Sequence, residues 1–186
     1  MLIGKPFNMA QSELRHHSNV SGPLFADFSC IDCGSCYHIA PELFHEEAQA
    51  SFVQKQPSSI VEWQLAKNAL LSCPTNSIGV EKAPPEFQLT PDSLPQLITD
   101  EIYYCGYTAR SSFGASSYLI VRKEGNVLVD SPRFNTQLVK KIEALGGVSL
   151  MLLTHRDDVA DHTKFAEHFK CNRVIHELEV DAGTSG

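Results

Sequence analysis

No stretch of this chain stays apolar for the roughly 18 to 20 residues that a membrane helix needs, so nothing in it is expected to span a bilayer as a helix. Basic residues are also few. Fifteen Lys and Arg stand against 22 Asp and Glu, for a net charge of -7, and they form no cluster. That balance argues against the phosphate neutralisation behind nonspecific nucleic-acid binding, and against acidic proteins or anionic lipids as partners. The first twenty residues lack the apolar block and small-residue cleavage site of a secretory signal, carrying Arg15, His16 and His17 instead. The expected location is therefore the cytoplasm, or the plastid stroma in a eukaryote. Internal repeats and low-complexity tracts are absent too. What remains is an ordinary globular composition, 42% hydrophobic and 20% charged, long enough for one large domain or two small ones. Six cysteines in an unexported chain stay reduced, so their spacing reads as metal ligation rather than disulfides.

The order of local signals predicts two parts. Residues 1–22 read as a polar tail, with His16 and His17 exposed, that ends in turn chemistry at Ser21, Gly22 and Pro23. A first small module is expected over residues 23–82. It opens with a strand at 24–28, followed by a helical turn at 41–44 and a strand at 50–53. Ser59 and Glu62 have capping-box spacing and open a helix, with Val61, Leu65, Ala69 and Ala66, Leu70 at helical intervals. Pro74 stops that helix, and residues 77–80 form a further strand. Pro84, Pro85, Pro91 and Pro95 mark residues 83–96 as a linker.

Residues 97–186 then read as α/β: strand 97–107, a Ser/Gly loop, strand 117–122, a turn at Glu124-Gly125-Asn126 and strand 127–129. After these come helix 137–145 stopped by Gly146-Gly147, strand 149–153, helix 161–170 and strand 173–175. The chain as a whole is expected to be α+β.

Cys30-Ile-Asp-Cys33-Gly-Ser-Cys36 puts three thiolates on one tight loop, and Cys73-Pro74 can supply a fourth from a helix end. In the two-cluster pattern another cysteine would precede proline after three intervening residues. Ala40 stands there instead, before Pro41, which favours one cluster over two. Four cysteines in this arrangement favour [4Fe-4S]. The alternatives are structural zinc, which usually builds from two C-x2-C pairs, and unrelated buried cysteines. Cys105 and Cys171 lie outside the pattern and read as buried and inert.

The segments CIDCGSC, APELF and SCPTNSIGV resemble, in order, the loop, short helix and closing strand of bacterial single-cluster ferredoxins. That resemblance covers about residues 24–82 and implies one-electron transfer to or from a redox partner protein, a reductase or an electron acceptor.

A second constellation lies at Thr154-His155-Arg156-Asp157-Asp158-Val159-Ala160-Asp161-His162, between an apolar strand and a helix, where α/β proteins place sites. It resembles the T-H-x-H-x-D-H signature of the metallo-beta-lactamase superfamily, with Asp157 in place of the second histidine and two extra residues. Upstream, Ser112-Phe-Gly-Ala-Ser-Ser-Tyr-Leu-Ile and Val127-Leu-Val-Asp130-Ser-Pro resemble that superfamily's first hairpin and turn. The chain also resembles the fused ferredoxin and metallo-hydrolase proteins of cyanobacteria and plastids. The resemblance implies metal ligands at His155, Asp157, Asp161 and His162, supported by Asp130, in half of an αββα sandwich. Such a set suits zinc, iron or manganese, and its metal-bound hydroxide would attack an ester, thioester or phosphoester of a small-molecule substrate. Asp157, Asp158 and Asp161 are also what a helix N-terminus prefers as caps.

The superfamily's further ligands, two histidines and a bridging aspartate, would come from a second half-domain. Residues 97–186 hold only half the material for the sandwich, so its site is expected to be incomplete and one sheet face to lack a partner layer. Two readings of function follow. The first is an iron-sulfur module coupled to a metal-dependent hydrolase or oxidoreductase. The alternative is an electron-transfer or redox-sensing binding protein whose truncated second part is catalytically inactive.

Overall fold

A computed structural model describes residues 10–47, 50–89 and 92–184. Residues 1–9 of the expected tail, Pro91 of the expected linker and residues 185–186 lie outside the described residues. Helix and strand are mixed throughout, in two compact units, Met1–Asp92 and Ser93–Gly186. Among the described residues no helix is long and apolar enough to cross a membrane.

The first unit runs β1 (Leu24–Ala26), α1 (Ser35–Ile39), β2 (Phe44–Glu47), β3 (Ala50–Val53), α2 (Ile60–Ser72), β4 (Ile78–Val80) and α3 (Pro85–Leu89). β1 pairs antiparallel with β4, and β2 with β3. α1 packs on α2, and Leu24, Leu43, Phe44, Val53, Trp63, Ala66, Ala69 and Ile78 form a core that also holds Cys36 and Cys73.

The cap on α2 is the one the sequence signals. The Ser59 side chain accepts from the Glu62 amide, and the Glu62 carboxylate returns to the Ser58 amide at 2.7 Å. Ser59→Ala is expected to lower the unit's unfolding free energy by about 1 kcal/mol in urea titrations. The buried face of α2 differs from the expected one, however. It follows Trp63, Ala66 and Ala69, and Val61 is 71% exposed. The bulky Trp63 indole is buried in the core and packs on Phe87, which leaves Val61 on the outward side of the helix.

Three other expectations are corrected. The predicted turn at 41–44 is present, with the Leu43 and Phe44 amides on Ala40 O at 2.9 and 3.1 Å, but Phe44 already belongs to a strand. An unexpected helix, α1, precedes the turn, started by Gly34 in the left-handed conformation (φ 82°). The described part of the tail is tied down. The His16 amide donates to Ala26 O at 2.9 Å, and Asn19 serves β1 as a further strand would: its Nδ2 donates to Ala26 O and its Oδ1 accepts from Ala26 N. The open edge of β1 needs such partners, and polar residues supply them without hydrophobic periodicity. His16 is accordingly 3% exposed. Finally, the expected linker contains α3, whose Phe87 packs edge-on against Trp63.

The second unit is a six-stranded sheet of β5 (Gln96–Thr99), β6 (Ile102–Tyr104), β7 (Tyr118–Ile120), β8 (Val127–Val129), β9 (Leu150–Leu153) and β10 (Asn172–Ile175). Its spatial order is β10-β9-β8-β7-β6-β5, antiparallel from β5 to β8 and parallel from β8 to β10. Helices α4 (Thr136–Ala144) and α5 (His162–Phe169) flank β9 in the chain. Residues 97–107, expected as one strand, are a hairpin that turns at Asp100 with φ 46°, a conformation aspartate tolerates. α4 is capped by Asn135 and ends before Gly146 and Gly147, both at positive φ. Met151 and Leu153 are buried with Leu138, Ile142 and Phe165. Leu152 points the other way, and together with its registered neighbour Val174 it leaves apolar surface exposed.

Candidate metal centre

The loop that carries the first three cysteines is anchored at its start. Asp27 is buried; its Oδ2 accepts from the Gln11 amide at 2.7 Å, and its Oδ1 accepts from the Ser29 amide at 2.9 Å. Its own amide donates to Ser77 O, which joins the loop to the residues just before β4. Asp32 (φ 56°) and Gly34 then reverse the chain so that Cys36 enters the first turn of α1. Cys73 arrives from the far end of the module, as the C-terminal cap of α2, with its amide bonded to Ala69 O and Pro74 barring another turn.

These placements bring Cys30, Cys33, Cys36 and Cys73 to the wall of one cavity, with Ser51, Pro74, Thr75 and Ser77. Backbone amides point at the sulfurs. Ser77 N–H donates to Cys73 Sγ at 3.2 Å, and Asp32 and Ser51 N–H each donate to Cys30 Sγ at 3.4 Å. Burial pushes the Cys36 thiol up to about 12; the Ser51 hydroxyl pulls it down, and charge on Cys30, Cys73 and Cys33 adds to the rise. Burial raises Cys33 as well. Four crowded thiols, of which Cys33 and Cys36 resist ionisation, are a poor arrangement for free cysteines, but they suit a metal group, whose positive charge stabilises thiolates. The Ser51 hydroxyl is buried without a hydrogen-bond partner of ordinary geometry, although it lies against Cys36. Donor set, amide dipoles and this orphaned hydroxyl all fit an iron-sulfur cluster. Ser51 and Ser77 went unnoticed in the sequence because the amides that reach the sulfurs are groups almost every residue carries.

Cys105 is fully buried and its thiol is pushed up to about 12 by burial, as suits an inert core cysteine. Cys171 is raised by burial too, and neither lines the cavity.

The second constellation is only partly gathered. His155 caps a 3-10 turn at Arg156–Asp158, with Asp157 Oδ2 at 3.5 Å from one ring nitrogen and Glu179 Oε2 at 3.4 Å from the other. Asp130 accepts from Thr154 N at 2.8 Å and from Thr154 Oγ1 at 2.7 Å, so it holds the head of the motif loop. Asp161 is engaged elsewhere, accepting from the Phe134 amide and from Lys164 Nζ at 2.8 Å each. Burial raises its pKa, but Lys164 and the Phe134 amide outweigh this and hold the carboxyl below its ordinary range. His162 is buried between Arg173, which donates to Nδ1 at 3.0 Å, and Gly183 O, 3.1 Å from Nε2. Arginine can only donate, so His162 is the neutral tautomer with its proton on Nε2, and both nitrogens have partners. Asp158, expected only as a helix cap and not as a ligand, is raised by burial and by nearby Asp130.

Burial lowers His162 below its ordinary 6.5, so protons favour the unfolded chain. Its contribution to stability is complete above about pH 6.5 and is lost as pH falls through the folded value. Thermal melts from pH 7.5 to 5 are expected to show this loss and a shallower slope in His162→Gln. The slope should not vanish, because His16 is shifted in the same direction, first by burial and then by His17. An unchanged slope would rule out the assigned role of His162.

Residues 27–80 match the family model of the 4Fe-4S single cluster domain of ferredoxin I, a span that holds all four cysteines of the cavity. The match does not extend into the second unit. No curated protein matches the chain.

Proposed function

We propose that this chain is an electron-transfer protein in which Cys30, Cys33, Cys36 and Cys73 hold one [4Fe-4S] cluster that exchanges electrons with a redox partner protein. The observation that carries this reading is the convergence of four thiols, from a loop, a helix start and a helix end, on one cavity inside the matched segment. A bound cluster supplies a one-electron carrier. The chain's own part is to bind, to tune and to shield. The Ser77, Asp32 and Ser51 amides donate to ligand sulfurs, drain charge from them and so raise the potential. Ile31, Pro74 and Ile78 in the cavity wall keep water off the sulfurs.

For residues 97–186 we take the alternative reading, a binding segment without hydrolytic activity. What supports it is that Asp161 and His162 already have partners that hold the fold, and only His155 and Asp157 remain close together. Anaerobic reconstitution tests the whole proposal. It is expected to give about four iron and four sulfide per chain and a paramagnetic signal on reduction. Zinc without labile sulfide would sink the electron-transfer reading. Ester or phosphoester hydrolysis that disappears in His155→Ala would overturn the inactive reading of the second unit.

A further inference from the structure

His16, His17 and Glu47 each offer a ligand atom, and these atoms lie within 4.8 Å of one another. The group belongs to the first unit and contains none of the four thiols. Consecutive side chains of an extended chain point apart. Here a turn closed by Asn19 N–H on His16 O bends the backbone, and the two imidazoles stack with centroids 4.7 Å apart and planes 19° apart. Phe28 lies 4.8 Å from the His16 ring and Phe52 5.7 Å from it, so the inner ring is fixed by packing. Glu47, the last residue of β2, brings its carboxylate to the open side, where the Ser18 hydroxyl donates to it.

Two stacked imidazoles cannot both be protonated without strong repulsion, and burial of His16 disfavours its charged form further. The group offers two imidazoles and one carboxylate around one point. That is a complete ligand set for a divalent first-row metal, with a single negative charge to offset the ion. The Ser18 amide contacts His16 Nδ1 at 3.2 Å, so a metal competes for the one imidazole lone pair against a long bond only.

We propose that His16, His17 and Glu47 form a divalent transition-metal site, of the kind that takes Zn2+ with a fourth position open to water. Nothing in it depends on what the cysteines hold. His16 is the inner ligand, and His17 and Glu47, both exposed, close over the ion. Ser18 orients the carboxylate from outside.

The test is equilibrium dialysis of the iron-loaded full chain against Zn2+ under anaerobic conditions, with zinc and iron both measured, for the parent, His17→Ala, Glu47→Gln and the control His155→Ala. The parent and the control are expected to take up one zinc without losing iron. Each of the other two is expected to bind at least about tenfold more weakly, with unchanged circular dichroism. A parent that binds no zinc, variants that bind as the parent does, or uptake matched by iron loss would each overturn the site. If the chain fails to load iron, the proposed electron-transfer role fails separately. The zinc count in His17→Ala and Glu47→Gln should then still fall one below the parent.

Discussion

Cys73→Ser is expected to reduce the iron and sulfide of anaerobically prepared chain from about four each to well under one, and to abolish the signal of the reduced protein. Cys30, Cys33 and Cys36 share one short segment, whereas Cys73 is the only one of the four that comes from the α2 end. Its loss therefore opens the far wall of the cavity as well as removing a ligand. A serine oxygen is a hard donor with a high pKa and replaces a soft thiolate poorly. It would also leave the Ser77 amide, now 3.2 Å from Cys73 Sγ, aimed at a shorter side chain. Cys105→Ser is the matched comparison, since Cys105 is also buried but lies in the other unit. It should keep the full iron content. Undiminished iron in Cys73→Ser, or equal loss in both variants, would remove the basis for the four-cysteine assignment.

The reason this site could be read from sequence is that a cluster demands soft ligands at short, fixed spacing, and C-x2-C-x2-C with a remote C-P states that demand in residue types. The helix that delivers Cys73 was legible for a similar reason, because Ser59, Glu62 and Pro74 act locally on the backbone. Contacts made by main-chain groups left no such trace. The Ser51 and Ser77 amides serve sulfurs, and the Asn19 side chain stands in for a strand, yet any residue has an amide and asparagine is common in tails. His16 read as an exposed tail residue because its partners, Phe28 and Phe52, are distant in sequence. At residues 154–162 the pattern of residue types was legible and their aim was not. The same Asp161 that could ligate a metal instead holds the Phe134 amide and Lys164, and only the fold distinguishes the two.

Phe44→Ala is expected to have the largest effect on stability, about 3 to 5 kcal/mol, as for other buried phenylalanines. Phe44 is fully buried in the same core as Cys36 and Cys73. It also opens β2, with its amide on Ala40 O at 3.1 Å and Val53 as its registered partner. A cavity there loosens the packing that holds α1 against α2, and with it the relative positions of the Cys36 and Cys73 sulfurs. Domains have only about 5 to 15 kcal/mol in hand, so the iron-free variant should be largely unfolded or close to it. A cluster that binds only the folded form works in the opposite direction and restores stability by mass action. Urea titration followed by far-ultraviolet circular dichroism should therefore find iron-loaded Phe44→Ala more stable than its iron-free form, but by a narrower gap than in the parent, because displaced sulfurs hold the cluster more weakly. Val61→Ala, on the exposed side of α2, should move either curve by no more than about 0.5 kcal/mol. If Phe44→Ala shifted the iron-free protein by less than about 1 kcal/mol, the core around the cysteines would not be the one described. If instead stability fell as expected while iron binding was untouched, the thiols would be positioned by the loop alone, and α2 would matter only as the carrier of Cys73.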